Sequence, residues 1–262
     1  MMISLFSAAS GMLAQETNIN VISNNLANVQ TSGFKKSRVD FEDLMYQTKS
    51  VPGSVTSAGT SLPVGVQIGN GVRAVGTQRI NTGGEFIETG NDLDIAIQGD
   101  GYFRILMPDG STGYTRDGSF KVTGDGMIVN SKGYPLEPGI NIPNDARKVS
   151  IGSDGTVTAL LGNNNMSQVI GQLTTARFMN PAGLMSVGEN ILKETSISGD
   201  PEVGIPGEQG YGGLAQRMLE TSNVKVVEEM VNMISAQRAY EVNTKSIQTA
   251  DDMLQQANNL KR

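Results

Sequence analysis

The chain has 262 residues, no cysteine, no histidine and a formal net charge of −6. Without cysteine and histidine it lacks the usual zinc ligands, the thiol nucleophiles and the commonest general base, which removes the usual equipment of most enzyme classes. The acidic balance, without a basic stripe interleaved with aromatic residues, disfavours binding to nucleic acids and to anionic membrane surfaces.

The N-terminal segment predicts a long helix from about Ile3 to Ala27. Read with a period of seven, it has an apolar or small residue at most positions of one coiled-coil seam. Those residues are Leu5, Ala8, Met12, Ile19, Ile22 and Leu26. Such a narrow stripe needs a partner for burial. The segment has no basic start and no continuous apolar run, so we expect neither a cleavable signal peptide nor a membrane span.

The helix is followed by a polar stretch, SNNLANVQTSGFKKSR, at Ser23–Arg38. Its asparagines are Asn24, Asn25 and Asn28, and its cations are Lys35, Lys36 and Arg38. Asparagine and glycine commonly end helices, and cations suit the negative C-terminal end of a helix, where we expect these three to be solvated. Alternatively, the stretch is a junction, where a helix that packs against other subunits passes into a domain that packs elsewhere.

Two stretches rich in glycine, proline, serine and threonine predict loops, at Ser50–Gly65 and Asp200–Gly213. Between them the dipeptide Asp-Gly recurs, and it supplies the positive φ that tight hairpin turns need. The five dipeptides begin at Asp100, Asp109, Asp117, Asp125 and Asp154. Further strand-like runs lie at Asp94–Gln98, Lys148–Ile151, Thr156–Leu161 and Val169–Met179. The middle therefore predicts an all-β domain of short antiparallel strands.

The C-terminal stretch Ser222–Arg262 contains no proline or glycine and predicts a second long helix. Ser222 or Asn223 is expected to cap its start, and Glu228 and Glu229 suit the positive end of its dipole. With a period of seven, one position holds Met233, Tyr240, Ile247 and Leu254, and the position three further on holds Ala236, Asn243, Ala250 and Ala257. Large residues thus alternate with small ones, which permits close packing of several helices, although an edge helix of a globular core is the alternative.

Together these patterns predict an α+β fold, in which N- and C-terminal coiled-coil-type helices pack together and the centre is all-β, antiparallel and rich in hairpins. The predicted helical domain, which would carry assembly, comprises residues 1–33 and 222–262. Residues 34–65 are expected to form an extended connecting segment with a Gly/Ser/Pro-rich loop. Residues 66–221 are expected to form an outer β domain.

Three patterns suggest chemistry, and each has a structural explanation. The Asp-Gly series lacks the spacing of calcium loops. The carboxylates Glu85, Glu88, Asp92 and Asp94 could pair as in a glycosidase, but they lie beside a predicted turn. The segment Gly69, Asn70, Gly71 resembles a phosphate-binding loop only weakly, because the Gly-Lys-Ser/Thr ending is missing. We therefore predict no catalytic, cofactor-binding or metal-binding residue and expect that the chain is not an enzyme.

Three stretches closely resemble the bacterial flagellar rod and hook family. The first carries an Asn-Asn-x-Ala-Asn signature at Asn24–Asn28, followed by Gly-Phe-Lys at Gly33–Lys35. The second is the block Asp92–Leu136, and the third contains Gln-Arg-Ala-Tyr-Glu at Gln237–Glu241. The resemblance spans nearly the whole chain. Length and the Ser50–Gly65 insertion favour a subunit of the distal rod over the hook protein or the proximal rod proteins.

The resemblance implies a structural subunit, many copies of which form a helical tube that transmits motor torque to the hook and encloses the export channel. The implied location is the periplasmic rod of the basal body, reached by flagellar type III export. The implied partners are further copies of the chain, the proximal rod proteins, the hook protein, the surrounding P and L rings and the export apparatus. A remote alternative is a peptidoglycan-cleaving enzyme.

The resemblance also implies that the terminal helices are disordered in the monomer and fold on assembly. The predicted subunit-interface residues are Leu5, Met12, Ile19, Ile22, Leu26, Asn24, Asn25, Asn28, Met233, Tyr240, Ile247 and Leu254. The predicted channel-lining residues are Gln248, Gln255, Gln256, Asn258 and Asn259. The Ser50–Gly65 loop is expected to bridge neighbouring subunits and to stiffen the tube.

Overall fold

The computed structural model describes residues 2–53, 63–162, 167–208 and 210–259. The chain divides into two compact units. The helical unit comprises Met1–Leu26, Ser37–Gln78 and Lys225–Arg262, and the β unit comprises Ala27–Lys36 and Arg79–Val224. No helix within the described ranges is long and apolar enough to cross a membrane.

The helical unit contains two long helices and four strands. The elements are α1 (Met2–Ala27), β1 (Ser37–Asp43), β2 (Tyr46–Ser50), β3 (Val66–Gly69), β4 (Val72–Arg79) and α2 (Val226–Asn259). β1 pairs with β4, and β2 pairs with β3 in an antiparallel ribbon. Because of this pairing, β3 and most of β4 belong to the helical unit, although the sequence places residues 66–78 in the outer β domain. In the predicted loop Ser50–Gly65, residues 54–62 lie outside the described residues.

Both predicted terminal helices are present, but the start of the second differs from the prediction. α1 covers the predicted segment, whereas α2 begins at Val226 and not after a cap at Ser222 or Asn223. The Asn223 amide is used elsewhere in the β unit, where its oxygen accepts from the Lys36 N–H at 2.7 Å and its nitrogen donates to Ile80 O at 2.9 Å. Because its amide already bonds to these distant partners, Asn223 does not cap α2.

The β unit contains one large antiparallel sheet and several small ones. Its strands are β5 (Phe86–Glu88), β6 (Ile95–Gln98), β7 (Tyr102–Leu106), β8 (Thr112–Thr115), β9 (Lys121–Val122), β10 (Ile128–Val129), β11 (Leu136–Glu137), β12 (Ala146–Ile151), β13 (Thr156–Leu161), β14 (Ser167–Gln172), β15 (Thr175–Arg177), β16 (Met185–Gly188), β17 (Ile191–Lys193), β18 (Glu202–Gly204), β19 (Gly213–Gln216) and β20 (Met218–Glu220). The large sheet has the order β16-β17-β8-β7-β15-β18, with β11 paired to β7. The order of a second sheet is β12-β13-β14. The predicted α+β class, with a central antiparallel β region, is confirmed.

Three of the five Asp-Gly dipeptides lie in hairpins, as predicted. Asp109, Asp125 and Asp154 lie between the antiparallel partners β7 and β8, β9 and β10, and β12 and β13. The hairpin prediction is wrong for Asp100 and Asp117, because β6 pairs with β19, and Gly118 O accepts from the Ile95 N–H. The glycine permits a turn at all five places, but distant strands decide which turns become hairpins.

The core of the β unit is built from aliphatic and aromatic side chains of these strands and of their connections. Phe103 and Phe120 meet edge to face, with ring centroids 5.0 Å apart. Around them lie the buried side chains of Ile95, Ile97, Ile105, Ile128, Leu136 and Val157. Burying one such side chain stabilises a fold by about 1.5–3 kcal/mol, so short strands suffice to hold this core.

A buried ion cluster lies in the β unit, and it corrects the prediction that Lys35 is solvated. Lys35 is buried, and its ammonium lies 2.5 Å from the Glu220 carboxylate. The Arg116 guanidinium lies 2.8 Å from the other carboxylate oxygen, and the Gly84 N–H donates to Glu220 at 2.9 Å. Lys35 and Arg116 are 185 and 104 positions from Glu220 in the chain. The local sequence around Lys35, which suggested solvation, therefore could not predict the ion cluster. Arg38 is exposed, as expected, and pairs with Asp40.

The cluster couples the stability of the β unit to pH. Burial alone would raise the pKa of the Glu220 carboxyl, but Arg116, Lys35 and the Gly84 N–H together hold the pKa below its ordinary value of 4.5. A carboxyl whose pKa is lower in the folded state stabilises the fold above its unfolded pKa. That stabilisation disappears as the pH falls through the lower, folded pKa.

We predict that Glu220→Gln lowers the free energy of unfolding of the β unit by about 3 kcal/mol at neutral pH, because Lys35 and Arg116 would stay buried without a counter-ion. The difference from the unchanged chain should shrink as the pH falls below the ordinary carboxyl pKa of 4.5, because Glu220 is then protonated first in the unfolded chain and at lower pH in the folded one. Urea titrations at several pH values, followed by tyrosine fluorescence, measure this.

The matched control is Glu202→Gln, which removes the carboxylate of an exposed pair with Arg177. Its effect should stay below about 1 kcal/mol at every pH. Equal losses in the two variants, or a constant difference down to pH 3, would contradict this account of the cluster.

Candidate assembly interface

The two long helices lie side by side within the helical unit. Near one end of the pair the Asn25 amide contacts Glu229, and towards the other end the Thr244 hydroxyl lies 3.4 Å from the Met12 sulfur. Because residue numbers rise along α1 where they fall along α2, the helices run antiparallel. A Cβ atom at Gly11 would lie 2.8 Å from the Asn243 amide nitrogen, so glycine permits the close approach there.

Asn25 joins three elements of the helical unit. Its side-chain oxygen accepts from the Ser37 N–H and its nitrogen donates to Ser37 O, each at 2.9 Å. The same nitrogen donates to the Glu229 carboxylate at 3.3 Å. Asn25 and Glu229 are both buried, at 2% and 4% exposure, so water does not compete for these bonds. The pair therefore fixes α1 against the start of β1 and the first turn of α2.

The structure places the predicted interface residues at different degrees of burial. Ile22 and Asn25 are buried. The half-buried residues are Leu5, Met12, Ile19, Leu26, Asn28, Met233 and Ile247, and the exposed residues are Asn24, Tyr240 and Leu254. The predicted small residues Ala236 and Ala250 are buried as well. Much of the predicted seam is thus covered by the chain itself, and its role between subunits stays a prediction.

A second apolar face of α2 is left uncovered by the part of the chain that the structure describes, and the seven-residue period did not select it. Its residues are Val227, Met230, Val231 and Ile234, which are between 49% and 75% exposed. We call this set the outer apolar face. Ala236 follows Val227 by nine positions, half a turn out of phase at about 100° per residue, and is buried. The outer apolar face therefore lies opposite the side that contacts α1.

The outer apolar face was visible in the sequence as apolar residues at spacings of three, four and seven. Beyond it the same side of α2 becomes charged, with Arg238, Glu241 and Lys245 exposed. α1 has a matching feature, since Phe6 and Leu13, seven positions apart, are both more than 60% exposed. A single chain thus presents apolar side chains from both helices to water.

Four predicted channel-lining residues, Gln248, Gln255, Gln256 and Asn259, are exposed on α2. The side chain of Asn258 lies outside the described residues. Exposure alone does not identify a channel wall, so this assignment stays a prediction.

The segment Gly69–Gly71, which partly matches a phosphate-binding loop, has a structural role in the helical unit. Gly71 has a φ of +110° and lies against Ser10 of α1, where a side chain would collide with the serine hydroxyl. The Ser10 hydroxyl accepts from the Val72 N–H at 3.3 Å. Glycine is therefore needed where the turn between β3 and β4 touches the helix.

The clustered carboxylates of the β unit hold turns together. Asp92 pairs with Arg217 at 2.5 Å. Asp94 is buried and accepts from the Thr89 hydroxyl at 2.5 Å and from the Asn91 amide at 2.9 Å. Within the described residues, no group of three or more acidic side chains is placed to hold a metal ion.

Three parts of the chain match known protein families. Residues 5–35 match the family described as flagella basal body rod protein. Residues 96–159 match the D1 domain of the flagellar hook protein FlgE/F/G, and residues 215–260 match the C-terminal region of the flagellar basal body rod FlgEFG proteins.

Full-length relatives agree with these matches. The chain is 48% identical to the flagellar basal-body rod protein FlgG of Borreliella burgdorferi, with all of both chains covered. It is 46% identical to the FlgG protein of Caulobacter vibrioides, with 98% of each chain covered. It is 42% identical to the FlgG protein of Bacillus subtilis, again with all of both chains covered.

We predict that Asn25→Asp destabilises the helical unit by about 2–4 kcal/mol at neutral pH. The new carboxylate would lose both donated bonds and would lie beside the buried Glu229 carboxylate. Far-ultraviolet circular dichroism during urea titration of assembled rods measures the change, because both helices are expected to be ordered there.

The control is Asn20→Asp, the same chemical change at an exposed position of α1. It should alter stability by no more than about 0.5 kcal/mol. If the Asn25 variant matched this control, Asn25 would not hold α1 in place.

Proposed function

The chain belongs to the family of flagellar basal-body rod proteins, and we propose that it polymerises through its terminal helices into a rigid helical tube. It is a structural subunit of the distal rod of the flagellum. In our proposal the tube transmits motor torque to the hook and encloses the channel through which later flagellar proteins are exported.

The observation that carries the proposal is the outer apolar face of α2. Four apolar side chains within two turns of one helix are about half exposed or more. Burying apolar surface contributes about 25 cal/mol per Å², so covering this face with a neighbouring copy would favour association. Exposed apolar patches of this kind mark interaction sites in soluble proteins.

We assign the contacts of the tube to two sides of the helix pair. The outer apolar face of α2, with Phe6 and Leu13 of α1, meets neighbouring copies. The predicted seam holds α1 to α2 in a coiled-coil-type arrangement, and its exposed members Tyr240 and Leu254 extend to the next copy. The exposed amides on α2, from Gln248 to Asn259, give the channel a polar wall.

Folding of the helices and assembly are coupled in this proposal. Ordering one residue costs about 1–2 kcal/mol for the backbone alone, and the narrow contact between α1 and α2 offsets only part of that cost for two long helices. Neighbouring copies would supply the missing burial. We also propose that the two helices form the inner layer of the tube and that the β domain lies outside it.

The partners proposed for the tube follow from its place in the basal body. They are further copies of the chain, the proximal rod proteins, the hook protein, the P and L rings and the export apparatus. We propose that the chain reaches the periplasmic rod through flagellar export without a cleavable signal peptide. We also propose that the Ser50–Gly65 segment bridges neighbouring copies and keeps the rod straight.

We predict that Ile234→Asp raises the critical concentration for polymerisation by at least about tenfold. Burying a carboxylate in the apolar contact is unfavourable, and each 1.4 kcal/mol of lost association free energy is a factor of about ten. Sedimentation of rods assembled from the purified full chain, over a range of concentrations, measures the critical concentration.

The matched control, Ile234→Leu, keeps the side-chain volume and should assemble within about threefold of the unchanged chain. Circular dichroism of both variants checks that the fold is retained. Equal assembly of the Asp and Leu variants would show that the outer apolar face does not meet a neighbouring copy.

A further inference from the structure

The β unit contains a cavity of about 240 Å³ beside the ion cluster. Among the described residues that line it, Lys35, Arg116 and Arg177 are cationic, and Asp100 is acidic. Tyr102, Asn81 and Met179 complete much of its wall. The cavity is therefore lined by more positive than negative side chains, in a chain whose net charge is −6.

Among the described residues at and beside the cavity, the cations outnumber the carboxylates by one. The cations are Lys35, Arg116, Arg177 and the nearby Arg79, and the carboxylates are Asp100, Glu220 and Glu202. Glu220 serves both Lys35 and Arg116, so one carboxylate neutralises two buried cations. Burial raises the pKa of the Tyr102 phenol; the Arg116 and Arg79 guanidiniums oppose that rise, and the Asp100 and Glu220 carboxylates add to it. Buried charges without a counter-ion are costly, so the cavity favours an anionic occupant.

Lys35 and Arg116 already donate to Glu220 and to backbone carbonyl oxygens. Among the described lining residues, Arg177 is therefore the cation with the most donors left for an occupant. Arg177 uses one terminal nitrogen to reach Glu202 at 3.0 Å, in an exposed pair that contributes little. Its other nitrogens have no hydrogen-bond partner among the described residues, although the guanidinium lies 5.4 Å from the centroid of the Tyr211 ring. The buried amide oxygen of Asn81 also lacks a partner within the described ranges, and rotation of the amide would present its nitrogen to an anion.

Exposed apolar side chains lie in the wall of the cavity, at Met179, and near it. Met179 is 94% exposed, and the neighbouring Asn180 amide donates to the carbonyl oxygen of Ile197, whose side chain is also exposed. A free inorganic anion gains nothing from such a rim, whereas a protein segment that carries a carboxylate would bury it. Charge complementarity with an acidic protein and this apolar rim favour a protein partner.

We propose that this cavity receives a carboxylate side chain from a second copy of the chain, which pairs with Arg177 while Met179 packs against the same neighbour. The proposal rests on assembly of the chain into a rod. It adds a charged contact through the β unit to the contacts of the helices, and it would fix the register of neighbouring copies.

Arg177→Gln tests the contact. We expect the critical concentration for polymerisation to rise about tenfold, with an unchanged circular dichroism spectrum. The matched control is Arg147→Gln, the same change at an exposed arginine of the β unit, and its critical concentration should be unchanged. Equal critical concentrations for the two variants would overturn the proposal while leaving the rod assignment intact.

A second variant, Arg177→Lys, keeps the charge and introduces an amine for zero-length carbodiimide coupling to a carboxylate. Mass spectrometry of the cross-linked rods should find a peptide that joins position 177 to an acidic residue of another copy. Coupling only to Glu202 of the same chain would overturn the proposal. So would stabilisation of the dilute chain by acetate that Arg177→Gln abolishes, because the occupant would then be a free anion. Failure of the unchanged chain to form rods would instead contradict the proposed function.

Discussion

The structure depends on the fact that α2 carries apolar side chains on two opposite sides and that one copy of the chain covers only one of them. The side with Ala236 and Ala250 is buried, and the side with Val227 and Ile234 is in water. Hydrophobic burial is the main favourable term in folding and association, so the uncovered side favours contact with another copy. In the proposed rod, the helices would gain stability from the polymer that they build.

Buried polar contacts determine where the elements lie, and apolar contacts supply most of the stability. Asn25 ties α1 to β1 and to Glu229, and Glu220 holds Lys35 and Arg116. Such groups contribute little net free energy when they are satisfied, but losing one partner is costly. They therefore favour one arrangement of each unit over its alternatives. In a subunit that must fit its neighbours repeatedly, that uniqueness matters more than extra stability.

Local sequence signals predicted much of the fold. The apolar period located α1, and the strand-like run Thr156–Leu161 located β13 at its observed bounds. Long-range partners caused the errors. Nothing near Asn223 shows that its amide bonds to Lys36 and Ile80, and nothing near Lys35 shows that it meets Glu220. For the candidate interface, the seven-residue period selected the side of α2 that faces α1. Apolar residues at spacings of three and four would have predicted the outer apolar face on the opposite side.

The most direct test of the central claim is hydrogen–deuterium exchange of the amides in Val226–Asn259, compared between the dilute full chain and assembled rods. The account predicts rapid exchange across this helix in the dilute chain and strong protection after assembly, greatest around Val227 to Ile234. Equal and strong protection in both states would mean that a single copy already stabilises α2, and it would contradict the dependence of this helix on neighbouring copies.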